Sequence, residues 1–321
     1  MPHPSDRTPV SLTGEGAAAG LTLAHLSDIH LPPARPYLGH YHAKRLLGML
    51  NWQRRRRRHL AATLATIVAD MQATAPDHIA VTGDLVNVGL ASEHAAARRW
   101  LDGLGPSNRV TAIPGNHDIY VRMQTARGIG HWQAFMADDQ ALPPKDPFPF
   151  VRRLGRVALI GLNSALPTPL FHAYGRLGND QLERLSTVLA RLGAEHLVRV
   201  VLIHHPPLVG QAKHRAALQD AAALTEVLRR QGAELVLHGH NHRAMIAFTP
   251  GPTRAIPVVG VPSASLGLAG EGQTLARYNL YRIPAEPAAP IEMVERGLAV
   301  TAGGVVELAR RRLHPDLATV A

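Results

Sequence analysis

The chain has 321 residues, 46% of them apolar and 4% aromatic, with 34 Lys and Arg against 24 Asp and Glu and a formal net charge of +10. That apolar content excludes wholesale disorder, and so few aromatic rings argue against a nucleic-acid surface built from stacking platforms. The absence of cysteine excludes disulfides, thiolate metal sites and a cysteine nucleophile.

Residues 1–19, rich in Pro, Ser, Gly and Ala, form a flexible lead-in without an apolar run of signal-peptide length. No stretch is long and apolar enough to span a bilayer, so a soluble cytoplasmic protein is expected. The segment Leu21–Leu26 reads as a short buried strand running into Ser27-Asp28-Ile29-His30, and Pro32, Pro33 and Pro36 enforce a loop after it. Leu60, Leu64, Ile67 and Met71 recur at helical spacing and predict an amphipathic helix over 59–72. A strand over 79–82 ends at Gly83-Asp84, an alanine-rich helix follows over 92–104, and a strand over 110–113 is broken by Pro114-Gly115.

The alternation continues with a strand over 157–162 and a helix marked by Leu182, Leu185, Leu189 and Leu192, with Asn179 as its expected cap. A strand over 197–203 stops at His204-His205-Pro206-Pro207, and a helix over 216–231 leads to a strand over 234–237. Thereafter strands follow without helices, over 244–249, 256–260, 276–283, 291–294 and 305–308. The class is α/β: two mixed sheets packed face to face with helices outside. Residues 20–321 read as one domain, with 286–321 a strand-rich C-terminal extension.

Residues able to bind metal recur at the C-terminal ends of the predicted strands: Asp28 with His30, Asp84, Asn116 with His117 and Asp118, His204 with His205, and His238 with His240 and His242. In open α/β sheets that edge is where sites form. Asp28 and His30, like His240 and His242, are two apart, so both side chains of each pair project to one side of an extended segment. A single Asp or His at a strand end is ordinarily a cap or turn former, but successive clusters at successive strand ends are not independent accidents. Carboxylate with neutral imidazole suits Mn or Fe first, and also Co or Zn, whereas an Mg-only site would favour oxygen ligands. Two divalent ions share this many ligands more naturally than one. After two carboxylates and a bridging hydroxide are subtracted, a net positive charge remains to attract a phosphoryl group, and the ions would activate the water between them.

These blocks resemble those of the calcineurin-like metallophosphoesterase superfamily: Asp28-Ile29-His30, Gly83-Asp84, Gly115-Asn116-His117-Asp118, His204, and Gly239-His240-Asn241-His242, in order, over about residues 20–285. The resemblance implies a four-layer αββα sandwich and a metal-dependent phosphoric ester hydrolase. It implies that Asp28, His30 and His242 hold one ion, that Asn116, His204 and His240 hold the other, and that Asp84 bridges them. It also implies that His117 contacts phosphate and protonates the departing oxygen, with Asp118 orienting it. His205, Asn87, Tyr120 and Arg122 are candidates for substrate contact, while His238 reads as a core histidine.

Around the motifs the sequence is similar to the bacterial branch that includes cyclic-nucleotide and glycerophosphodiester phosphodiesterases. The expected substrate is therefore a phosphodiester or a small phosphomonoester. The alternative is a pyrophosphatase acting on a nucleotide-linked lipid precursor such as UDP-2,3-diacylglucosamine. It rests on the segment from Lys44 to Arg58, where Leu46, Leu47, Leu50 and Trp52 precede five consecutive arginines that hold half of the net charge. That segment is a candidate peripheral contact with the anionic inner face of the membrane, since arginines opening a helix oppose its dipole unless anions offset them. No nucleic acid is expected, because no basic stripe is distributed along the chain. A non-catalytic metal-bound scaffold is disfavoured, because His117 and every ligand position are filled.

Overall fold

The computed structural model describes residues 20–33, 42–137, 148–268, 272–299 and 304–313. The expected lead-in over 1–19, the loop-forming Pro36 and the last residues of the C-terminal extension lie outside the described residues.

Twelve strands are described, divided between two six-stranded sheets. The first is built around β1 (Leu21–Leu26), β2 (His78–Val81) and β3 (Val110–Ala112), which run parallel because helices connect them. The connecting helices are α1 (Ala43–Arg55) with α2 (Ala61–Ala73), and α3 (Ala91–Leu104). The second sheet begins with β4 (Phe150–Leu154) and β5 (Val157–Gly161) as an antiparallel pair. It continues in parallel through β6 (Val198–Leu202) and β7 (Leu235–His238), linked by α4 (Asn179–Ala194) and α5 (Ala221–Gln231). The antiparallel pair β8 (Met245–Pro250) and β9 (Ala255–Gly260) completes it, with β9 against β7. The chain then returns to the first sheet as β10 (Arg277–Ile283), β11 (Ile291–Leu298) and β12 (Val305–Leu313). The C-terminal strands are thus the antiparallel flank of the first sheet.

The layering follows from strand periodicity. Leu159, Val200, Leu235 and Leu237 face the core shared with Leu23, Val81 and Ala112 of the first sheet. Their neighbours Ile160, Val201 and Val236 point the other way and pack against Leu185 and Leu189 of α4 and Leu224 and Leu228 of α5. Both faces of the second sheet are buried, so its strands read as continuous apolar runs. On the first sheet Leu64, Ile67 and Met71 of α2 and Ala97 and Leu101 of α3 supply the outer layer. The result is the expected αββα sandwich.

Three local expectations are corrected. Asn179 does not cap α4: Gly178 precedes the helix at φ 81°, and the Asp220 carboxylate accepts from its N–H at 2.8 Å. The expected helix over 216–231 starts only at Ala221, after a short turn at His214–Ala216. The arginine run does not open a helix. Arg54 and Arg55 form the last turn of α1, where the macrodipole favours cations, and α2 starts later, at Ala61. The helix α1 escapes the sequence pattern because its buried face mixes the cation Lys44 with Gly48, Met49 and Trp52 while leucines lie outside. Lys44 Nζ donates to the carbonyls of Tyr120 and Thr168 at 2.9 and 2.8 Å, and Arg45 donates to Val88 and Gly89. Burial lowers Lys44 to about 8.

Candidate metal centre

The loops leaving β1, β2, β3, β6 and β7 converge at one end of the two sheets and bring the predicted ligands together. His242 Nε2 lies 3.1 Å from Asp28 Oδ1 and 3.3 Å from His30 Nε2. On the other side Asn116 Oδ1 lies 3.1 Å from His204 Nε2 and 2.8 Å from His240 Nδ1. Asp84 Oδ2 stands between these groups, 3.5 Å from His204 Nε2 and 4.0 Å from His30 Nε2. The close approach explains two of the motif glycines. A Cβ on Gly115 would strike Asp84 and His204, and one on Gly239 would strike Ser27 and Asp28.

The backbone is strained where it delivers these side chains. Asp28, His30, Asp84, His240 and His242 all adopt positive φ, between 48° and 69°. Residues with a Cβ rarely occupy that region, and such strain collects at functional sites. Hydrogen bonds hold the turns in place: the Asp28 and His30 amides donate to the carbonyls of Gly83 and Asp84, both at 2.9 Å. Ser263, just beyond β9, donates its hydroxyl to the Asp28 carbonyl at 2.6 Å.

The donor set fits cations. His204 Nδ1 donates to the Thr82 carbonyl at 2.7 Å, His240 Nε2 donates to that of Ala216 at 2.9 Å, and His30 Nδ1 faces that of Val86 at 3.3 Å. A carbonyl can only accept, so the remaining nitrogen of each neutral ring is a bare lone pair. Two such lone pairs, His204 Nε2 and His240 Nδ1, stand 3.3 Å apart and share Asn116 Oδ1. Acceptors do not bond to acceptors, so this spot takes positive charge: a metal ion, or with none bound a proton on His204 Nε2. Pinning the outer nitrogen on a backbone carbonyl is also how metal-binding histidines are fixed in tautomer and orientation. Electrostatics agree. Burial works against Asp28 and Asp84, yet the surrounding imidazoles outweigh it and hold both carboxyls below the usual range. Burial pulls His204 down, but Asp84 outweighs it and leaves His204 raised to about 9. Burial, reinforced by its histidine neighbour, lowers His240 to about 3.

His117 reaches the cluster edge-on to His30, with ring centroids 5.1 Å apart. Its Nδ1 donates to the Asn87 carbonyl at 2.5 Å and its ring stacks on Tyr120 at 5.5 Å, leaving Nε2 as the free end. Asp118 does not orient it. The Asp118 carboxylate instead accepts from the backbone N–H groups of Asp84, Leu85, Val86 and Gly115 at 2.8–3.1 Å. A short acidic side chain beside a strand end naturally captures such amides, and here it ties two motif loops together.

The other substrate candidates occupy different places. His205 is buried with both nitrogens engaged, Nδ1 with Ser164 Oγ at 2.8 Å and Nε2 with the Ala173 carbonyl at 3.0 Å. It packs 4.5 Å from the His240 ring and supports that residue. Asn87 acts through its backbone carbonyl, while its side-chain Nδ2 donates to Leu31 at 2.6 Å. Tyr120 lines the site behind His117, and Arg122 is exposed with no contact to the cluster among the described residues. His238 is fully buried at the end of β7.

No sequence motif singles out His59. Its ring lies edge-on to those of His30 and His242, with centroids 4.8 and 5.6 Å away. A ring nitrogen from each of the three falls within 4.8 Å of the others.

Comparison with known proteins agrees with this architecture. The profile of calcineurin-like phosphoesterases matches residues 21–244, more than half of the chain. The chain belongs to this family. As a calcineurin-like phosphoesterase it is a metal-dependent phosphoric ester hydrolase. A Synechococcus protein named as a probable cyclic nucleotide phosphodiesterase is 29% identical over 237 residues, which cover 72% of this chain and 77% of the relative. A Rhodococcus erythropolis protein of the same name is 27% identical over 196 residues, covering 60% of this chain and 59% of the relative. Among solved structures, a dimetal phosphatase from Danio rerio shares the fold, with a TM-score of 0.60 at 11% identity over 92% of this chain and 99% of that one.

Proposed function

We propose that this calcineurin-like phosphoesterase hydrolyses a phosphodiester or a small phosphomonoester at two metal ions. Asp28, His30 and His242 hold one, Asn116, His204 and His240 the other, and Asp84 lies between them. The convergence of uncapped imidazole nitrogens on Asp84 and Asn116 carries this reading. Bound ions supply positive charge that polarises the phosphoryl group and activates water. The chain's own contribution is to turn His204, His240 and His30 inward through the carbonyls of Thr82, Ala216 and Val86. It also presents His117 Nε2, with Nδ1 locked on Asn87, as the group that hands a proton to the departing oxygen. Burial lowers His117, against the pull of Asp84. The diester preference is supported by the names of the two relatives.

A second reading, a pyrophosphatase for a nucleotide-linked lipid precursor such as UDP-2,3-diacylglucosamine, is favoured by one observation. The α1 helix exposes Leu46, Leu47 and Leu50, and Arg54 and Arg56 to Arg58 are exposed at its end. Apolar and cationic groups side by side suit the anionic face of a membrane. No described helix is long and apolar enough to cross one. Hydrolysis by Mn-reconstituted protein of a cyclic nucleotide, a glycerophosphodiester, a phosphomonoester and a UDP-linked acyl sugar tests both readings. Turnover of a diester that is lost on chelation and restored by Mn supports the first. Turnover of the acyl sugar alone, with salt-sensitive binding to anionic liposomes, supports the second.

A further inference from the structure

The α1–α2 junction brings two side chains to the metal centre that no motif announces. His59 is 5% exposed, and Ser265 Oγ holds its ring by Nδ1 at 2.8 Å. Its Nε2 makes no hydrogen bond among the described residues, although the ring edges up to His30 and His242. It also lines an open cleft with Trp52, Gln53, Arg56, Pro32 and Pro33. Four residues earlier, the Arg55 carbonyl accepts from the His59 N–H at 3.2 Å, which places both on one tight turn. Arg55 is the one half-buried member of the arginine run, and its guanidinium makes no hydrogen bond or ion pair among the described residues. It sits within electrostatic reach of Asp84, Tyr120, His59 and His117.

The hydroxyl chain around His59 sets its chemistry. Ser263 directs its proton to the Asp28 carbonyl at 2.6 Å, leaving its oxygen as an acceptor 3.2 Å from Ser265 Oγ and 3.5 Å from His59 Nδ1. Of the two side-chain contacts Ser265 Oγ makes, that to His59 Nδ1 at 2.8 Å is shorter than that to Ser263 Oγ at 3.2 Å. A hydroxyl donating there puts the imidazole proton on Nε2, which then faces the centre as a donor. A metal ligand would need the opposite tautomer. A guanidinium fork beside an N–H donor matches the oxygens of a phosphoryl group.

We propose that Arg55 and His59 bind the non-bridging phosphoryl oxygens of the substrate, forming a phosphate-binding wall on the α1–α2 junction. The proposal rests on the reading of the cluster as a metal-dependent phosphoesterase site.

The test uses Mn-loaded full-length protein with inorganic phosphate as the probe. Parent, Arg55→Gln, Arg55→Lys, His59→Ala and the exposed control Arg57→Gln are compared by metal content per chain, thermal midpoint and phosphate affinity by calorimetry. KM and kcat on bis(4-nitrophenyl) phosphate are measured alongside. Arg55→Gln and His59→Ala are expected to keep both ions and the parent's midpoint while each weakens phosphate binding by about tenfold or more and raises KM. Arg55→Lys, which keeps the charge and loses the fork, should fall between. Ions lost from His59→Ala would make His59 a metal ligand and overturn its assignment. Unchanged phosphate affinity in Arg55→Gln and His59→Ala, or an equal loss in Arg57→Gln, would overturn the wall as a whole. Should either variant be too unstable to load metal, Arg55→Lys decides, because parental affinity there removes the fork from the proposal. A parent that binds neither Mn nor phosphate fails the underlying phosphoesterase reading instead, and the wall falls with it.

Discussion

The carboxylate of Asp118 accepts from the backbone N–H of Asp84 at 2.8 Å, so the loop after β3 positions the residue that stands between the two candidate metal positions. Each Asp118 oxygen accepts two amides, Oδ2 those of Asp84 and Gly115 and Oδ1 those of Leu85 and Val86. Burial and the neighbouring Asp84 carboxylate push Asp118 up, and the amides of Gly115 and Val86 oppose that shift. Asp118→Asn turns a donor toward two of those amides. The expected outcome is a loss of about 3 kcal/mol or more in urea unfolding of the metal-free protein, together with weakened metal uptake. Unchanged stability would show that the clamp is dispensable.

Asp84 belongs to both candidate ligand groups, with His204 and His240 on one side and with Asp28 and His30 on the other. Asp84→Asn removes the negative charge the two positions share. Metal content of the purified variant should fall at both positions, with turnover essentially lost. His242→Ala, which touches Asp28 and His30, should empty one position selectively. A variant Asp84→Asn that keeps two ions and normal turnover would refute the shared-carboxylate assignment.

Among the described residues, His117 meets the centre through ring packing and a backbone N–H that donates to Asp84 Oδ1 at 2.8 Å. His117→Ala keeps that N–H, so metal content should stay near that of the parent. Turnover should fall by roughly 10²- to 10⁴-fold, the usual worth of a positioned proton donor. The penalty should shrink for 4-nitrophenolate esters, whose leaving group needs little protonation. Equal losses for good and poor leaving groups would assign His117 to phosphate contact instead.

The candidate cluster was legible because each parallel strand ends in a short local motif, so singling out Asp28, Asp84, Asn116, His204 and His240 needed no knowledge of tertiary contacts. The layering was legible for the same reason, in the apolar runs such as Val200 and Val201. What escaped depends on contacts distant in sequence or on main-chain partners. His59 finds Ser265 across 206 residues, and nothing near either residue announces the pairing. Asp118 sits within a catalytic motif yet serves backbone amides, which the side-chain pattern does not encode. Helix α1 buries Lys44 and exposes Leu46 and Leu50, an inversion of the usual amphipathic pattern that hides both the helix and its inward Arg55.

Buried neutral histidines outside the centre make stability depend on pH. His78 is 1% exposed, its Nε2 contacts Thr111 Oγ1 at 2.7 Å, and its Nδ1 is buried without a partner. Burial, reinforced by Arg152 and Arg109, lowers it to about 3. The unfolded chain takes up that proton near the ordinary value of about 6.5, whereas the folded protein refuses it down to about 3. Between those values the unfolded state binds more protons, so stability falls as pH falls. The loss from this one side chain is about 2 kcal/mol between pH 7 and pH 5. Urea unfolding at pH 7, 6 and 5, in chelator so that metal uptake does not intrude, should show His78→Gln losing less stability than the parent by about that amount. Glutamine removes the titration and can still meet Thr111, so any constant cost of the substitution cancels in the comparison across pH. Parallel pH profiles for parent and variant would mean that His78 takes up its proton in the folded protein as readily as in the unfolded chain.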